Sequence, residues 1–411
     1  MSDITVRTLR CGMPFITEVM PSVRSAAVYW LLPAGSATDP DDREGLSTLT
    51  EEMLLRGAGN RTSKEHADAA DRLGATRGTG CGTFTMGVSS TMLGERVQEM
   101  LPLLVDMVRR PLFAADALDA CRDLSLQAIE SLKDDPQERV MVAVRARHNP
   151  HPINRSGLGR VDGLNACTRD DVVSGWERLA RPKGSVLAMA GAVDPARLEH
   201  VLNDLLDGWD GGAPTPVIGP VPERGYAHEE DSTSQVQVVV AYDAPPEGHA
   251  DSILEKMVVS VLSGGMSGRL FSEVREKRGL CYSVSAGYRG DKEFGTVSAY
   301  VGTTPERAQE SLTVLLSEVR RILTPEGAVN EEEFRRAKVG MKSSLVFAGE
   351  SSAARAGALA MDWRRLGRPR TLGAMGSEID AVKLDQLNAY LARRDLGTMT
   401  IQTLGPAELK V

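Results

Sequence analysis

Apolar residues in this chain fall into two kinds of block. Some are short and near-continuous, and others recur at helical spacing. Val6 to Ala34 reads as two strands, the stronger being Ser25-Ala26-Ala27-Val28-Tyr29-Trp30-Leu31-Leu32. A helix is predicted from about Gly45, where Leu46, Leu49, Met53 and Leu54 make one stripe. Asp39-Pro40-Asp41-Asp42 just before it offers first-turn acids and a cap. Thr62-Ser63-Lys64-Glu65 is a capping box for a second helix running through Leu73, ended by Gly74. Thr83 to Ser89 returns to strand. Glu95 to Arg110 places Val97, Leu101, Leu104, Val105 and Val108 on one helical face. A long helix from about Ala114 to Leu132 closes at Asp134-Asp135-Pro136. Val186 to Met189 reads as a buried strand, and Asp194-Pro195 opens a helix ending near Leu206.

The segment from Gly211 to Gly225 breaks this rhythm with Pro214, Pro216, Pro220 and Pro222 and no helical period, as a linker does. The pattern then restarts. Ser234 to Ala241 matches the Ser25 strand in place and character. Glu306 to Arg321 lies on Glu95 to Arg110 without gaps, with nine of sixteen positions identical at an offset of 211. A common amphipathic period explains the leucines, but not the repeated Glu-Arg-x-Gln-Glu and Val-Arg-Arg. The chain therefore reads as an internal duplication. The expected fold class is α+β: two homologous halves of about 200 residues, each an antiparallel-rich sheet packed with helices. The expected boundaries are 1–212, a linker at 213–226, and 227–411.

Composition narrows the function. With 411 residues, 42 % hydrophobic and 25 % charged, the chain is long enough for a large core. A net charge of −8 gives no basic footprint for nucleic acid or an anionic membrane. Cys11, Cys81, Cys121, Cys167 and Cys281 are odd in number and scattered, which argues against a disulfide framework and a thiolate zinc site. The first residues lack a signal-peptide core, and no apolar run reaches membrane-spanning length, so a reducing cytoplasm is expected. Of six histidines only His148 and His151 are close, and Pro150 between them disfavours a ligand-bearing helix.

Two segments carry candidate chemistry. In Gly45-Leu46-Ser47-Thr48-Leu49-Thr50-Glu51-Glu52-Met53, the residues Thr48, Glu51 and Glu52 fall at i, i+3 and i+4 on one helical face. An inverted zinc motif, H-x-x-E-H, has this spacing. The second segment is Ser263-Gly264-Gly265-Met266-Ser267-Gly268-Arg269-Leu270-Phe271-Ser272-Glu273-Val274-Arg275-Glu276-Lys277-Arg278-Gly279-Leu280-Cys281-Tyr282-Ser283-Val284. With Ala34-Gly35-Ser36 before the first stretch and Arg56-Gly57-Ala58-Gly59-Asn60-Arg61-Thr62-Ser63 after it, nearly the whole chain resembles the pitrilysin family of zinc peptidases. In particular, it resembles the subgroup of mitochondrial processing peptidase and its bacterial relatives.

The resemblance implies a damaged metal site. Thr48 and Glu52 stand where the family has its two histidines, Glu51 where it has the general base, and Ala128 where a second helix supplies a glutamate ligand. A catalytic zinc needs three protein ligands and an open position, so no zinc is expected in this chain. By the same resemblance, Arg275 and Tyr282 match a pair that binds substrate peptide near the scissile carbonyl. A helix with a solvated charge run would present the same residues. Thr76-Arg77-Gly78-Thr79-Gly80-Cys81-Gly82 lacks the Asn-Ala pair that leads into the family's peptide-receiving edge strand, so the N-terminal groove is expected not to read substrate as an active subunit does. Taken together these imply a non-catalytic subunit of a heterodimeric metallopeptidase. Its partner would be a homologous zinc-bearing subunit, and the two bowl-like chains would enclose a peptide chamber. A structural scaffold without proteolytic role and a homodimeric peptide-binding protein are the alternatives.

Overall fold

The computed structural model describes residues 3–411, which form two compact units. Of the described residues, the first comprises 3–131, 151–219 and 348–371, and the second 132–150, 220–347 and 372–411.

In the first unit the strands are β1 (Asp3–Thr8), β2 (Pro14–Val19), β3 (Ser25–Leu32), the short ribbon β4 (Gly57–Ala58) and β5 (Arg61–Thr62), β6 (Gly78–Cys81), β7 (Met86–Leu93) and β8 (Val186–Gly191). The helices are α1 (Leu46–Leu54), α2 (Ser63–Asp71), α3 (Val97–Arg109), α4 (Leu118–Ser131), α6 (Val161–Ala166), α7 (Arg169–Leu179), α8 (Pro195–Leu205) and α12 (Ser352–Leu366). The main sheet runs β1-β2-β8-β3-β7-β6, antiparallel except for β2 beside β8. The segment from Val6 to Ala34 thus contributes to three strands, where apolar patterning predicts two. A tight turn at Gly12, with φ +83°, separates β1 from β2.

The second unit contains β9 (Tyr226–Glu230), β10 (Val236–Asp243), β11 (Cys281–Gly290), β12 (Gly295–Thr303) and β13 (Thr400–Gly405), in sheet order β11-β12-β10-β13-β9. Its helices are α5 (Pro136–His148), α9 (Ser252–Ser263), α10 (Ala308–Arg321), α11 (Glu331–Gly349, which runs on into residue 348 at the unit boundary), α13 (Leu372–Ala381) and α14 (Leu384–Arg393). The strand order repeats that of the first unit without a counterpart of β1, in accord with the duplication.

Period-two alternation explains why β3 and β10 are apolar throughout. Ala26, Val28, Trp30 and Leu32 face the main core with α1, α3 and α7, while Ala27 and Leu31 face Ala356, Leu359 and Ala360 of α12. In the second unit Val236, Val238, Val240 and Tyr242 join α9 and α10. Val239 and Ala241 meet Val140 and Val144 of α5.

The contiguous boundaries at 212 and 227 need amending on this point. The two units change over inside the proline-rich stretch, between Gly219 and Pro220, but α5 from the first half of the sequence packs in the second unit and α12 from the second half packs in the first. The buried residues of each helix complete the sheet of the unit built mainly from the other half of the sequence. Glu18 and Arg355, each about 1 % exposed, seal α12 to β2, with Arg355 Nε donating to Glu18 Oε2 at 2.7 Å.

Candidate functional site

The first candidate is α1. Asp39 caps it: its carboxylate accepts from Gly45 N (2.9 Å), Ser47 N (2.9 Å) and Ser47 Oγ (3.1 Å). Burial pushes the Asp39 carboxyl up to about 6, against the pull of these donors and of Arg155. Arg155 braces the approach to the helix, donating to Ser36 O, Asp39 O and Asp41 Oδ1.

The side chains at the expected metal positions are engaged in packing. Thr48 Oγ1 donates to Gly157 O at 2.8 Å. Glu52 faces Arg56, one turn on, at 3.9 Å. Ala128 lies on the α4 face that carries the buried Cys121 and Ser125, and offers a methyl group. One hydroxyl already committed to a carbonyl, one carboxylate and one methyl do not fit a zinc ion. Among the described residues there is no cluster of three or more histidine, cysteine or acidic side chains able to hold a metal. His66 is buried between Leu103 O and Arg77, His148 Nδ1 meets Thr400 Oγ1 at 3.0 Å, and His151 lies 3.1 Å from Asp41.

Glu51 has a partner that sequence alone does not reveal. Its Oε2 accepts the backbone N–H of Cys81 at 2.9 Å. Cys81 ends β6, the outer strand of the sheet. Thr76 N and Gly82 N both bond to the β7 side, so the odd-numbered residues of this strand turn their amide groups outward. The carboxylate therefore occupies one of the groups an added strand would use. Burial, then repulsion from Glu52, raises the Glu51 carboxyl above its ordinary range, while the Cys81 amide opposes the rise.

The second candidate is built by three local irregularities. Phe271–Glu276 forms a π-helical turn, with Lys277 N bonded to Ser272 O. Gly279, at φ +61°, then reverses the chain into β11. A bulge between Cys281 and Ser283 leaves Tyr282 opposite no residue of β12, with its side chain 81 % exposed. The outcome is a stack: the Arg275 guanidinium lies 4.9 Å from the centre of the Phe271 ring and 5.1 Å from that of Tyr282. Lys277 and Arg278 both pair with Glu273, and Arg269 is buried against Glu333. Arg275 alone of this run has no carboxylate partner among the described residues. Phe271 was not singled out by sequence, although its i, i+4 spacing to Arg275 carries that signal.

Two family models match the chain: "Insulinase (Peptidase family M16)" over residues 15–156 and "Peptidase M16 inactive domain" over 166–341. An uncharacterized zinc protease of Mycobacterium tuberculosis is 28 % identical over 415 aligned positions, covering 97 % of this chain and 92 % of its own. One from Rickettsia felis is 24 % identical, covering 99 % of both. Among solved structures, a peptidase M16 inactive domain from Pseudomonas fluorescens superposes with a TM-score of 0.88 at 20 % identity, covering 100 % of this chain and 99 % of that one. A protease from Helicobacter pylori gives 0.86 at 17 %, covering 98 % and 100 %.

Proposed function

Since the chain belongs to peptidase family M16, we propose that it is the non-catalytic, substrate-binding subunit of a heterodimeric zinc metallopeptidase. The zinc, the H-x-x-E-H helix and the attacking water belong to a homologous partner subunit. Arg275 and Tyr282 of this chain complete that site. The reading rests on one observation above all: Arg275 lies against two rings with no carboxylate partner among the described residues, which also hold no metal-ligand cluster.

The chemistry follows from the side chains. A guanidinium fixed by stacking loses little freedom when it donates to a peptide carbonyl. The exposed Tyr282 hydroxyl is free to donate to an oxyanion developing at that carbonyl. Glu51, anchored on Cys81, takes no proton from water in this scheme. Five free and separated thiols suit the reducing cytoplasm in which we place the complex. No helix among the described residues is long and apolar enough to cross a membrane.

The test is to purify the chain alone and with its zinc-bearing homologue, and to follow cleavage of a peptide library. The chain alone should be inactive and the pair active. Arg275→Ala and Tyr282→Phe should each lower the rate of the pair by about a hundredfold or more, the usual loss for an oxyanion or positioning donor. Cleavage by the chain alone, or an undiminished rate in the substituted pair, refutes the proposal.

A further inference from the structure

A cavity of about 370 Å³ lies within the second unit, between α5 and the outer strands of its sheet. The register of the sheet explains it. Paired residues share a face, and Val239 and Ala241 face α5. On that face Thr400, Ala241, Ser298 and Gly287 form one row across β13, β10, β12 and β11. Because α5 lies over β10 and β13, the row runs out from beneath the helix to the edge of the sheet. Every side chain in it is small. Gly287 sits inside a regular strand, and a Cβ added there meets no atom within 4 Å. A strand glycine that no neighbour demands marks a place where something else approaches the backbone closely.

The first unit has the same row, closed. Its members are Val186, Leu31, Gly87 and Gly80. Leu31 packs on α12, and the Tyr29 ring covers Gly87, where a Cβ would come within 2.5 Å of Tyr29 Oη. In the second unit Ala241 stands in place of Leu31 and Val239 in place of Tyr29, and the space stays open. Met141 and Val144 of α5 and the Phe294 ring make its walls apolar. Arg145 of α5 and Arg289 of β11 make it cationic, against one acid, Glu138. Burial pulls the Arg145 guanidinium below its ordinary range, with Glu138 opposing. His148, one turn beyond Arg145 and 1 % exposed, closes the inner end over Thr400. Its Nδ1 meets Thr400 Oγ1 at 3.0 Å. Its Nε2 makes no hydrogen bond among the described residues and lies 3.5 Å from Asp243 Oδ1. With the Thr400 hydroxyl donating to Nδ1, Nε2 carries the N–H.

We propose that this cavity binds a small organic monoanion, a carboxylate carried on an aromatic or alkyl body. The carboxylate meets Arg145 and His148 at the inner end, and the body lies along the row over Ser298 and Gly287, beside Phe294. Charge favours this class, because two guanidinium groups and one carboxylate leave one positive charge to be matched. Shape favours it too: an apolar trough with a few polar groups gathered at one end is what orients a small ligand. The site lies within the second unit and does not rest on the peptidase reading.

The experiment is isothermal titration calorimetry of the full chain with naphthoate and decanoate, and with naphthamide and decanol as their neutral counterparts. Saturable binding of at least one acid is expected, with its neutral counterpart weaker by about tenfold or more, the loss of a charge-assisted contact. Arg145→Met should weaken the acid by about tenfold or more and leave the neutral compound unchanged. Gly287→Leu places a side chain in the cavity without meeting a neighbour, and should abolish binding of both while circular dichroism and Tm are preserved. Absence of saturable binding by either acid overturns the proposal. Equal affinity for acid and neutral counterpart overturns it as well, as does undiminished acid binding by Arg145→Met or by folded Gly287→Leu.

Discussion

Glu51 is the sharpest place to ask whether α1 still does chemistry. Glu51→Gln keeps an oxygen able to accept the Cys81 N–H, now 2.9 Å from the carboxylate, and removes a charge that burial and Glu52 both disfavour. The folded-state carboxyl is raised, so the protonated form is favoured by folding, and stability declines as pH rises through the folded value. A neutral glutamine should therefore match or exceed the wild type in stability at pH 7.5, with the difference vanishing toward pH 4. Glu51→Ala instead leaves the amide without its acceptor, at a cost of about 1–3 kcal/mol. For a unit of this size that corresponds to about 2–12 °C in Tm. Differential scanning calorimetry of the three proteins at pH 4, 5.5 and 7.5 measures both effects. In parallel, peptide cleavage by the complex should be unaffected by Glu51→Gln, whereas removal of a general base costs about 10²–10⁴-fold. Loss of cleavage with Glu51→Gln, or instability of that variant at pH 7.5, refutes the structural role given to Glu51.

Further outcomes follow from other residues. Arg275→Ala removes two ring contacts worth about 0.5–1 kcal/mol each, so chemical denaturation should register a loss of only about 1–2 kcal/mol while activity of the complex falls far more. Arg355→Met strands the buried Glu18 carboxylate and should cost about 3–5 kcal/mol. Glu18→Leu combined with Arg355→Leu should recover most of that loss in a double-mutant cycle. Asp39→Asn loses one acceptor of the α1 cap, at about 1–3 kcal/mol at pH 7.5. Because the Asp39 carboxyl lies at about 6 in the fold, above its ordinary value, wild-type stability contributed here declines between about pH 4 and 6, and Asp39→Asn should flatten that slope in Tm measurements. Zinc added to the isolated chain should leave Tm unchanged, since Thr48, Glu52 and Ala128 provide no ligand set.

Much of this architecture is legible in the sequence because it is written in local chemistry. The Thr62–Glu65 box does cap α2 with reciprocal bonds, and the repeated Glu95 and Glu306 segments do form equivalent helices. What escapes is set by tertiary partners. The helices α5 and α12 are not among those the apolar pattern predicts, and periodicity would not name the sheet that buries them. The glycines of β6 give no apolar signal for a strand. The π turn and the bulge at Tyr282 are irregularities of hydrogen bonding, invisible to patterning, and they bring the Phe271, Arg275 and Tyr282 side chains into one stack.

The traded helices α5 and α12 change what a half of this chain is. Residues 1–212 expressed alone would leave Ala27, Leu31 and Ala188 facing water, with a helix of their own that has no sheet to lie on. A lone half-length ancestor could cover both faces of its sheet only by swapping that helix with a second copy of itself. Fusion of two such copies makes the swap permanent and frees each half to diverge. For the same reason, proteolytic nicking between Pro214 and Pro222 should not release two particles, because each folded unit retains a segment from the other side of the cut.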